Sequence, residues 1–238
     1  IEMKTYTIDY KEGETICEGY VAYDDSHDKK RPGIILFPDW TGVGPYAHKR
    51  AAMLVEMGYA VFCADVYGKG IRPQFPKCAE EMGKYLANRP LLKKRAREGL
   101  DQLRALAVVD TKKMISIGYC FGGLTTLELA RTGADVIGAV SFHGNLSTDN
   151  PADAKNIKGK VLVLHGANDP VVPEPEVSAF FKEMREAKTD FYFTAYGNAV
   201  HSFTQWHVFF CKQKAAYEER ADKRSWIAMQ EFFKEILA

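Results

Sequence analysis

Runs of apolar residues alternate with segments of helical periodicity along most of the chain. The apolar runs contain few polar positions, which is typical of strands that are buried on both faces of a sheet. Strands are predicted at 33–37, 60–64, 114–117, 136–142, 160–165 and 190–196, and helices at 47–57, 77–88, 91–108, 121–131 and 174–187. This alternation predicts an α/β fold in which helices cover both faces of a mostly parallel sheet.

The two ends of the chain extend this pattern. Residues 4–10 and 15–23 flank a turn that contains Gly13, which predicts an antiparallel hairpin. Residues 214–237 predict a final helix. Its buried face is expected to hold Trp226, Met229, Phe233 and Ile236. Because no repeat, linker or low-complexity tract divides the sequence, residues 1–238 are predicted to form a single domain.

Charge is almost balanced over the 238 residues, with 32 basic and 31 acidic side chains and a net charge of +1. Since no basic block stands out, neither nucleic acid nor an anionic membrane is a predicted partner. No apolar run approaches the length of a membrane span, and the start of the sequence lacks the apolar core of a signal peptide. A cytoplasmic location is therefore expected. Because the first residue is isoleucine, the sequence leaves open whether a signal peptide was removed before it.

The five cysteines are irregularly spaced, and their odd number argues against a disulfide framework. The sequence also lacks a CxxC pair and a Gly-rich phosphate loop after its first parallel strand, so no metal or other cofactor is predicted. His143 and His165 stand near strand ends without a metal-ligand spacing. Both are expected to be structural histidines with satisfied hydrogen bonds.

The strongest candidate for chemistry is Cys120, which stands between Gly118 and Gly122 just after the strand at 114–117. A small residue two positions before and after a nucleophile is typical of a nucleophile elbow, a tight turn from strand to helix. Glycine fits at both positions because backbone segments approach each other closely there. The start of the helix at 121–131 would direct amide hydrogens towards the sulfur and favour its thiolate. The alternative is a buried cysteine in an ordinary strand–helix turn.

Two further strand ends carry the partners that a thiol nucleophile needs. Asp169 follows the strand at 160–165, and His201 follows the strand at 190–196. The order nucleophile, acid and histidine along the chain is that of α/β-hydrolases. An aspartate before proline often serves only a turn, and a loop histidine often lies on the surface. The position of all three residues at strand ends nevertheless predicts a catalytic triad.

The chain resembles the dienelactone hydrolase family of α/β-hydrolases. The resemblance rests on five stretches that follow the order and spacing of the family and cover most of the chain. These stretches are 37–42, 58–67, 118–123, 164–169 and 201–203. The resemblance implies an α/β-hydrolase fold and the hydrolysis of small carboxylic esters or lactones. The cysteine in the elbow is the specific part of the match, because most α/β-hydrolases use serine there.

The same resemblance implies the roles of individual residues. Cys120 would attack the carbonyl carbon of the substrate and become acylated, and His201 would act as general base and then activate water. Asp169 would orient His201 and stabilise its cation. The oxyanion hole would consist of the backbone N–H groups of Trp40 and Phe121.

Two positions depart from the pattern of the family. Asp39 stands where the family has a glutamate that contacts the resting thiol, and its shorter side chain puts that contact in question. Gln205 stands where enzymes that act on dienelactone have an arginine for the substrate carboxylate. Because a neutral amide cannot make that charged contact, we expect a pocket that is less selective for anions. Arg72 and Arg89 are the candidates for the second arginine of such enzymes.

The predicted pocket draws on several parts of the sequence. Its expected residues are Trp40, Tyr67, Arg72, Phe203, Gln205 and Trp206. The stretch 206–210 is bulky and apolar, which adds to the uncharged character of this pocket.

Two other functions are compatible with the same residues. An acyl-cysteine can pass its acyl group to an alcohol or an amine instead of water, which would make the protein an acyl or thioester transferase. A non-catalytic protein on this scaffold could bind a ligand or respond to oxidation through Cys120. A small-molecule ester or lactone is the predicted partner, and the sequence leaves its identity and the oligomeric state open.

Overall fold

The computed structural model of the chain describes residues 1–208 and 213–238. Within those residues the chain has eight β-strands and six α-helices. The strands are β1 (Met3–Glu12), β2 (Thr15–Asp24), β3 (Arg31–Phe37), β4 (Ala60–Cys63), β5 (Val109–Tyr119), β6 (Gly138–Phe142), β7 (Lys160–Gly166) and β8 (Phe191–Tyr196). The helices are α1 (Pro45–Glu56), α2 (Lys77–Leu86), α3 (Arg89–Ala105), α4 (Phe121–Arg131), α5 (Glu174–Ala187) and α6 (Glu219–Leu237), and a short 3₁₀ helix covers Pro151–Asn156. Among these helices, none is both long enough and apolar enough to cross a membrane.

The chain divides into two compact units, Ile1–Ile117 and Gly118–Ala238. In the first unit the strand order is β1-β2-β4-β3; the pairs β1–β2 and β2–β4 are antiparallel, and β3 is parallel to β4. In the second unit β6, β7 and β8 lie side by side and are parallel. These pairings confirm the predicted hairpin and the predicted parallel strands. The prediction of a single domain over residues 1–238 stays a prediction.

The core of the second unit shows why its sequence forms these elements. Successive side chains of a strand point to opposite faces of the sheet, so alternate residues of β7 share one face. Val161 and Val163 belong to one buried apolar cluster together with Phe180 and Met184 of α5 and Leu127 of α4. The apolar residues of β7 and the apolar stripes of α4 and α5 therefore pack against each other in one layer of the core.

The final helix begins five residues later than the sequence predicts, at Glu219 instead of residue 214. The backbone before it pairs with the loop at His201: the His201 N–H donates to the Lys214 carbonyl at 3.0 Å, and the Ala216 N–H donates to the His201 carbonyl at 3.0 Å. These backbone groups are thus used in a bridge and cannot continue a helix. The side chain of Glu218 then accepts the Ala221 N–H at 2.6 Å and caps the first turn.

The buried face of α6 also differs from the prediction. Met229 and Phe233 are buried as expected, but Trp226 and Ile236 are only half-buried and Phe232 is buried in their place. Helical spacing identifies the apolar stripe of a helix but not its edges, because the edges depend on which neighbouring elements cover them.

Helix α4 is buried on all sides, including its charged residues. Arg131 donates to both carboxylate oxygens of Glu183 at 2.7 and 2.8 Å, to Glu128 at 2.9 Å and to the Leu146 carbonyl at 2.8 Å. A buried charge is tolerated only when it is paired and hydrogen-bonded in this way. These bonds fix the C-terminal end of the helix, whose N-terminal end carries the elbow.

The turn from β5 to α4 has the geometry of a nucleophile elbow. Cys120 precedes the helix with φ 58° and ψ −118°, a region that side chains other than glycine rarely occupy. Its N–H donates to the Phe142 carbonyl at 2.9 Å, and its carbonyl accepts the Gly123 N–H at 2.9 Å. A Cβ atom on Gly118 would lie 1.9 Å from the Gly122 carbonyl oxygen, so glycine at 118 is a steric requirement. The predicted close approach is confirmed.

We expect Gly118→Ala to destabilise the protein by about 3 kcal/mol, the upper end of the usual cost of overpacking, because the added methyl group meets backbone that cannot rotate away. Gly197→Ala is the matched control: it follows β8, and a Cβ atom there meets nothing within 4 Å. The free energy of unfolding in urea measures both variants. Equal stability of the two variants would contradict the steric account of the elbow.

Candidate active site

Cys120 and His201 are in direct contact. The Cys120 Sγ atom lies 3.0 Å from the His201 Nε2 atom, and both residues are buried. Cys120 comes directly after β5 and His201 lies in the loop after β8, so the elbow and a loop distant in sequence meet at this point. A thiol and an imidazole at this separation can share one proton.

Asp169 lies on the opposite side of the His201 ring. Its Oδ2 atom is 2.8 Å from His201 Nδ1, and since a carboxylate can only accept, Nδ1 carries the hydrogen of this bond. The Oδ1 atom accepts the N–H groups of Val171 at 2.8 Å and Val172 at 3.3 Å. The carboxylate is therefore fixed in orientation, and it in turn fixes the tautomer and the plane of the imidazole. The three residues that the sequence singled out are brought together.

The electrostatics of the site favour a protonated His201. Burial acts to lower the pKa of His201, but the negative charge of Cys120 and the hydrogen bonds to Asp169 and Cys120 outweigh it and raise the pKa to about 10. The imidazole thus lies between two acidic groups that both favour its protonated form. A cation at this distance from the sulfur stabilises negative charge on it.

The loop that carries His201 is a tight turn. Ser202 has φ 61°, and the Gln205 N–H donates to the Ser202 carbonyl at 3.0 Å. Phe203 and Gln205 are buried, and Trp206 is half-buried. The apolar stretch predicted at 206–210 is described only up to residue 208, so positions 209 and 210 and Cys211 lie outside the described residues.

In the first unit, Asp39 organises the loop after β3. Its Oδ1 atom accepts the Thr41 N–H at 2.8 Å and the Thr41 hydroxyl at 2.5 Å, which forms a local turn. Trp40 is half-buried, with its ring 6.2 Å from the ring of Phe75. The predicted contact of Asp39 with the thiol stays a prediction.

Tyr67 and Arg72 also bond to the loop after β3. The buried Tyr67 hydroxyl donates to the Trp40 carbonyl at 2.8 Å. Arg72 Nε donates to the Val43 carbonyl at 3.0 Å, and its Nη1 lies 3.4 Å from the buried carboxylate of Asp65. These polar groups tie two loops of the first unit together. Their expected place in the substrate pocket remains untested.

Arg89, the other candidate for the second arginine, donates through Nε to the Leu86 carbonyl at 3.0 Å, at the start of α3. Within residues 1–208 and 213–238, no group of three His, Cys, Asp or Glu side chains could hold a metal ion.

The two histidines that the sequence set aside differ in their surroundings. His165 packs at 5.4 Å from Phe193, and burial lowers its pKa. Its Nδ1 atom is buried without a hydrogen-bond partner among the described residues, so the prediction of a fully satisfied histidine is wrong for that atom. His143 bonds to Thr204, and its ring lies 5.7 Å from the ring of His201. The contact between His143 and His201 could not be predicted, because the sequence shows only that His143 follows a strand.

Comparison with known proteins gives a consistent result. The model of the dienelactone hydrolase family matches residues 17–237. Two solved structures are 38% identical to this chain: one named m3DLH covers 98% of both chains with a TM-score of 0.95, and a dienelactone hydrolase-like promiscuous phosphotriesterase from metagenomic libraries covers 99% of both with a TM-score of 0.93. The uncharacterized protein K02A2.1 of Caenorhabditis elegans is 38% identical over 150 residues, which are 62% of this chain and 95% of the relative.

The family match extends over nearly the whole chain, and the solved structures share its arrangement of strands and helices. The predicted fold class is confirmed by this likeness. The chain belongs to the dienelactone hydrolase family of hydrolases and has the α/β-hydrolase fold.

Proposed function

We propose that the protein hydrolyses small carboxylic esters or lactones through an acyl-cysteine intermediate. The observation that carries the proposal is the chain of contacts from Cys120 Sγ to His201 Nε2 at 3.0 Å and from His201 Nδ1 to Asp169 at 2.8 Å. A nucleophile, a base and an orienting acid in this geometry are the parts that acyl transfer requires. Membership of a hydrolase family supports the same reaction type.

In the first half of the proposed reaction, the Cys120 sulfur forms a bond to the carbonyl carbon of the substrate. The bond from that carbon to the leaving oxygen then breaks, and His201 gives its proton to the leaving oxygen. The product is an alcohol, or a tethered hydroxyl from a lactone, and a thioester on Cys120. The sulfur no longer carries a negative charge at this stage.

Loss of that charge changes the role of His201. The charge on Cys120 is one of the causes that raise the pKa of His201, so the pKa falls when the sulfur is acylated. The neutral imidazole can then take a proton from water as the water oxygen attacks the thioester carbon. The carbon–sulfur bond breaks, a carboxylic acid leaves, and the sulfur regains its charge beside a protonated His201.

The oxyanion of both tetrahedral intermediates needs hydrogen-bond donors. We assign this role to the backbone N–H groups of Phe121 and Trp40, as the family resemblance implies. Phe121 is the first residue of α4, where the helix dipole adds to the donor strength of the amide. Trp40 lies in the loop that Asp39 and Tyr67 hold through the bonds described above.

The proposed substrates are uncharged near the triad. Gln205 and Phe203 follow His201 closely, are buried and carry no charge. Arg72 is engaged with backbone carbonyls and with Asp65, which leaves it poorly suited to a substrate carboxylate. A cofactor-free reaction and a cytoplasmic location stay predictions.

Transfer of the acyl group to an alcohol or an amine is the alternative outcome of the same intermediate. Product analysis with added methanol separates the two, because hydrolysis yields the free acid and transfer yields the methyl ester. A protein that binds esters or oxidises at Cys120 without turnover would instead support the non-catalytic alternative.

Removal of either reacting group is expected to abolish turnover. Cys120→Ala and His201→Ala should each lower kcat for p-nitrophenyl butyrate by at least about 1,000-fold, because the members of such a unit fail together. His27→Ala is the control, since His27 is an exposed histidine before β3, outside the predicted pocket. It should stay within about twofold of the parent protein. Hydrolysis that persists in the Cys120 variant would refute the proposal.

The protonation of His201 gives a test without substrate. Because its pKa is raised to about 10, the imidazole should keep its proton at neutral pH and lose it as the pH rises through about 10. His165 should titrate below its usual range, because burial lowers its pKa. Histidine-selective NMR titration measures both. Alkylation of Cys120 with iodoacetamide removes the sulfur charge and should lower the His201 midpoint; an unchanged midpoint would refute the proposed switch from acid to base.

A matched pair of esters tests the uncharged pocket. We expect kcat/KM for p-nitrophenyl butyrate to exceed that for mono-p-nitrophenyl succinate by at least about tenfold, since an unpaired carboxylate is costly to desolvate. Gln205→Arg should narrow this ratio, and Gln205→Met, of similar size and uncharged, should not. A parent protein that prefers the succinate ester would contradict the inference from Gln205.

A further inference from the structure

His143 has a backbone conformation that non-glycine residues rarely adopt, although the sequence predicts only a structural role for it. It follows β6 directly, has φ 42° and is 1% exposed. Its N–H donates to the Leu164 carbonyl at 2.9 Å, which holds it at the end of the parallel strands. Non-glycine residues in this region carry strain that the surroundings must maintain, and they concentrate at functional sites.

The side chain of His143 lies against the loop of His201. The two imidazole rings are 5.7 Å apart and nearly perpendicular, at 70°. The His143 ring also meets Phe203 edge to face at 5.1 Å. Its Nε2 atom is 2.8 Å from the hydroxyl of Thr204, a fully buried residue three positions after His201.

We propose that His143 is a positioning residue for His201. Its ring blocks rotation of the His201 imidazole about the bond to Asp169, and its bond to Thr204 holds the turn that carries His201. The inference rests on the proposed function, since it assigns His143 to the same acyl-transfer site. An imidazole that tilts away from Cys120 loses the short contact on which proton transfer depends.

The geometry favours positioning over simple packing. The hydrogen bond goes to the His201 loop, and two of the ring contacts are made with that loop, which also contains a strained residue, Ser202, at φ 61°. His165 offers the comparison: it is also a buried histidine at a strand end, and its ring packs 5.4 Å from the ring of Phe193 in β8. A residue with a merely structural role would resemble His165.

The rate at which iodoacetamide alkylates Cys120 at neutral pH tests this without any ester. His201→Ala should lower the rate at least about tenfold, because the sulfur loses its counter-charge. His143→Ala should lower the rate by about tenfold in the parent protein and by less than about twofold in the His201→Ala background, as expected for residues that act through one another. His27→Ala is the control, since His27 is an exposed histidine before β3, and it should change the rate by less than about twofold.

A second pair of variants covers the case in which His143→Ala does not fold. Thr204→Val removes the hydroxyl and keeps the shape, and it should lower the alkylation rate and kcat about threefold, with KM nearly unchanged. Thr204→Ser restores the hydroxyl and should restore the rate.

Equal effects of His143→Ala in both backgrounds, or equal rates in Thr204→Val and Thr204→Ser, would overturn the positioning role. Absence of ester hydrolysis in the parent protein, with the alkylation pattern intact, would instead remove the proposed function and leave His143 as a determinant of His201 geometry.

Discussion

The close approach of two backbone segments at the elbow is the constraint on which the site depends. The carbonyl of Gly122 occupies the space that a side chain at 118 would need. Because residue 118 is a glycine, the two segments can come this close, and the strand turns into α4 within a single residue. That residue is Cys120, whose backbone adopts a strained conformation with a positive φ of 58°. Because the turn is fixed by bonds to Phe142 and by the buried helix behind it, the sulfur is held in place before any substrate arrives.

Charge pairing is the second condition of the site. The second unit buries His201 between Cys120 and Asp169, and it buries Arg131 between Glu128 and Glu183. Both arrangements place a basic group between two acidic groups, since an isolated charge would be too costly to bury. They differ in what can change. The guanidinium keeps its proton throughout, whereas an imidazole whose neighbouring sulfur becomes acylated can release one.

Local patterns predicted the parts of the fold and the site that are themselves local. The glycines around Cys120 predicted the elbow, and strand ends predicted where Asp169 and His201 stand. The start of α6 was predicted too early, because residues 214–216 pair with His201, which is close in space but not in the helical pattern. The surroundings of His143 were equally invisible, since they depend on a turn some sixty residues later in the chain, at Thr204.

The hydrogen bonds of Arg72 also could not be predicted from local sequence patterns. An arginine near a predicted pocket is readily assigned to a substrate carboxylate, yet its donors here reach the carbonyls of Val43 and Ile71. Sequence shows that a charge is present, but only the folded chain shows which partners satisfy it. Substrate preference depends on such long-range contacts, whereas the reaction type depends on the short motifs.

The proposed reaction depends on an acyl group that is bound to Cys120. The most direct measurement mixes the protein with p-nitrophenyl acetate, quenches it in acid within the first turnover, and locates the adduct by mass spectrometry of peptides. The proposed reaction predicts one acetyl group on the peptide that contains Cys120, and this group should be absent from Cys120→Ala. Hydrolysis without an adduct on Cys120, or an acetyl group on another residue that turns over at the same rate as the ester, would contradict it.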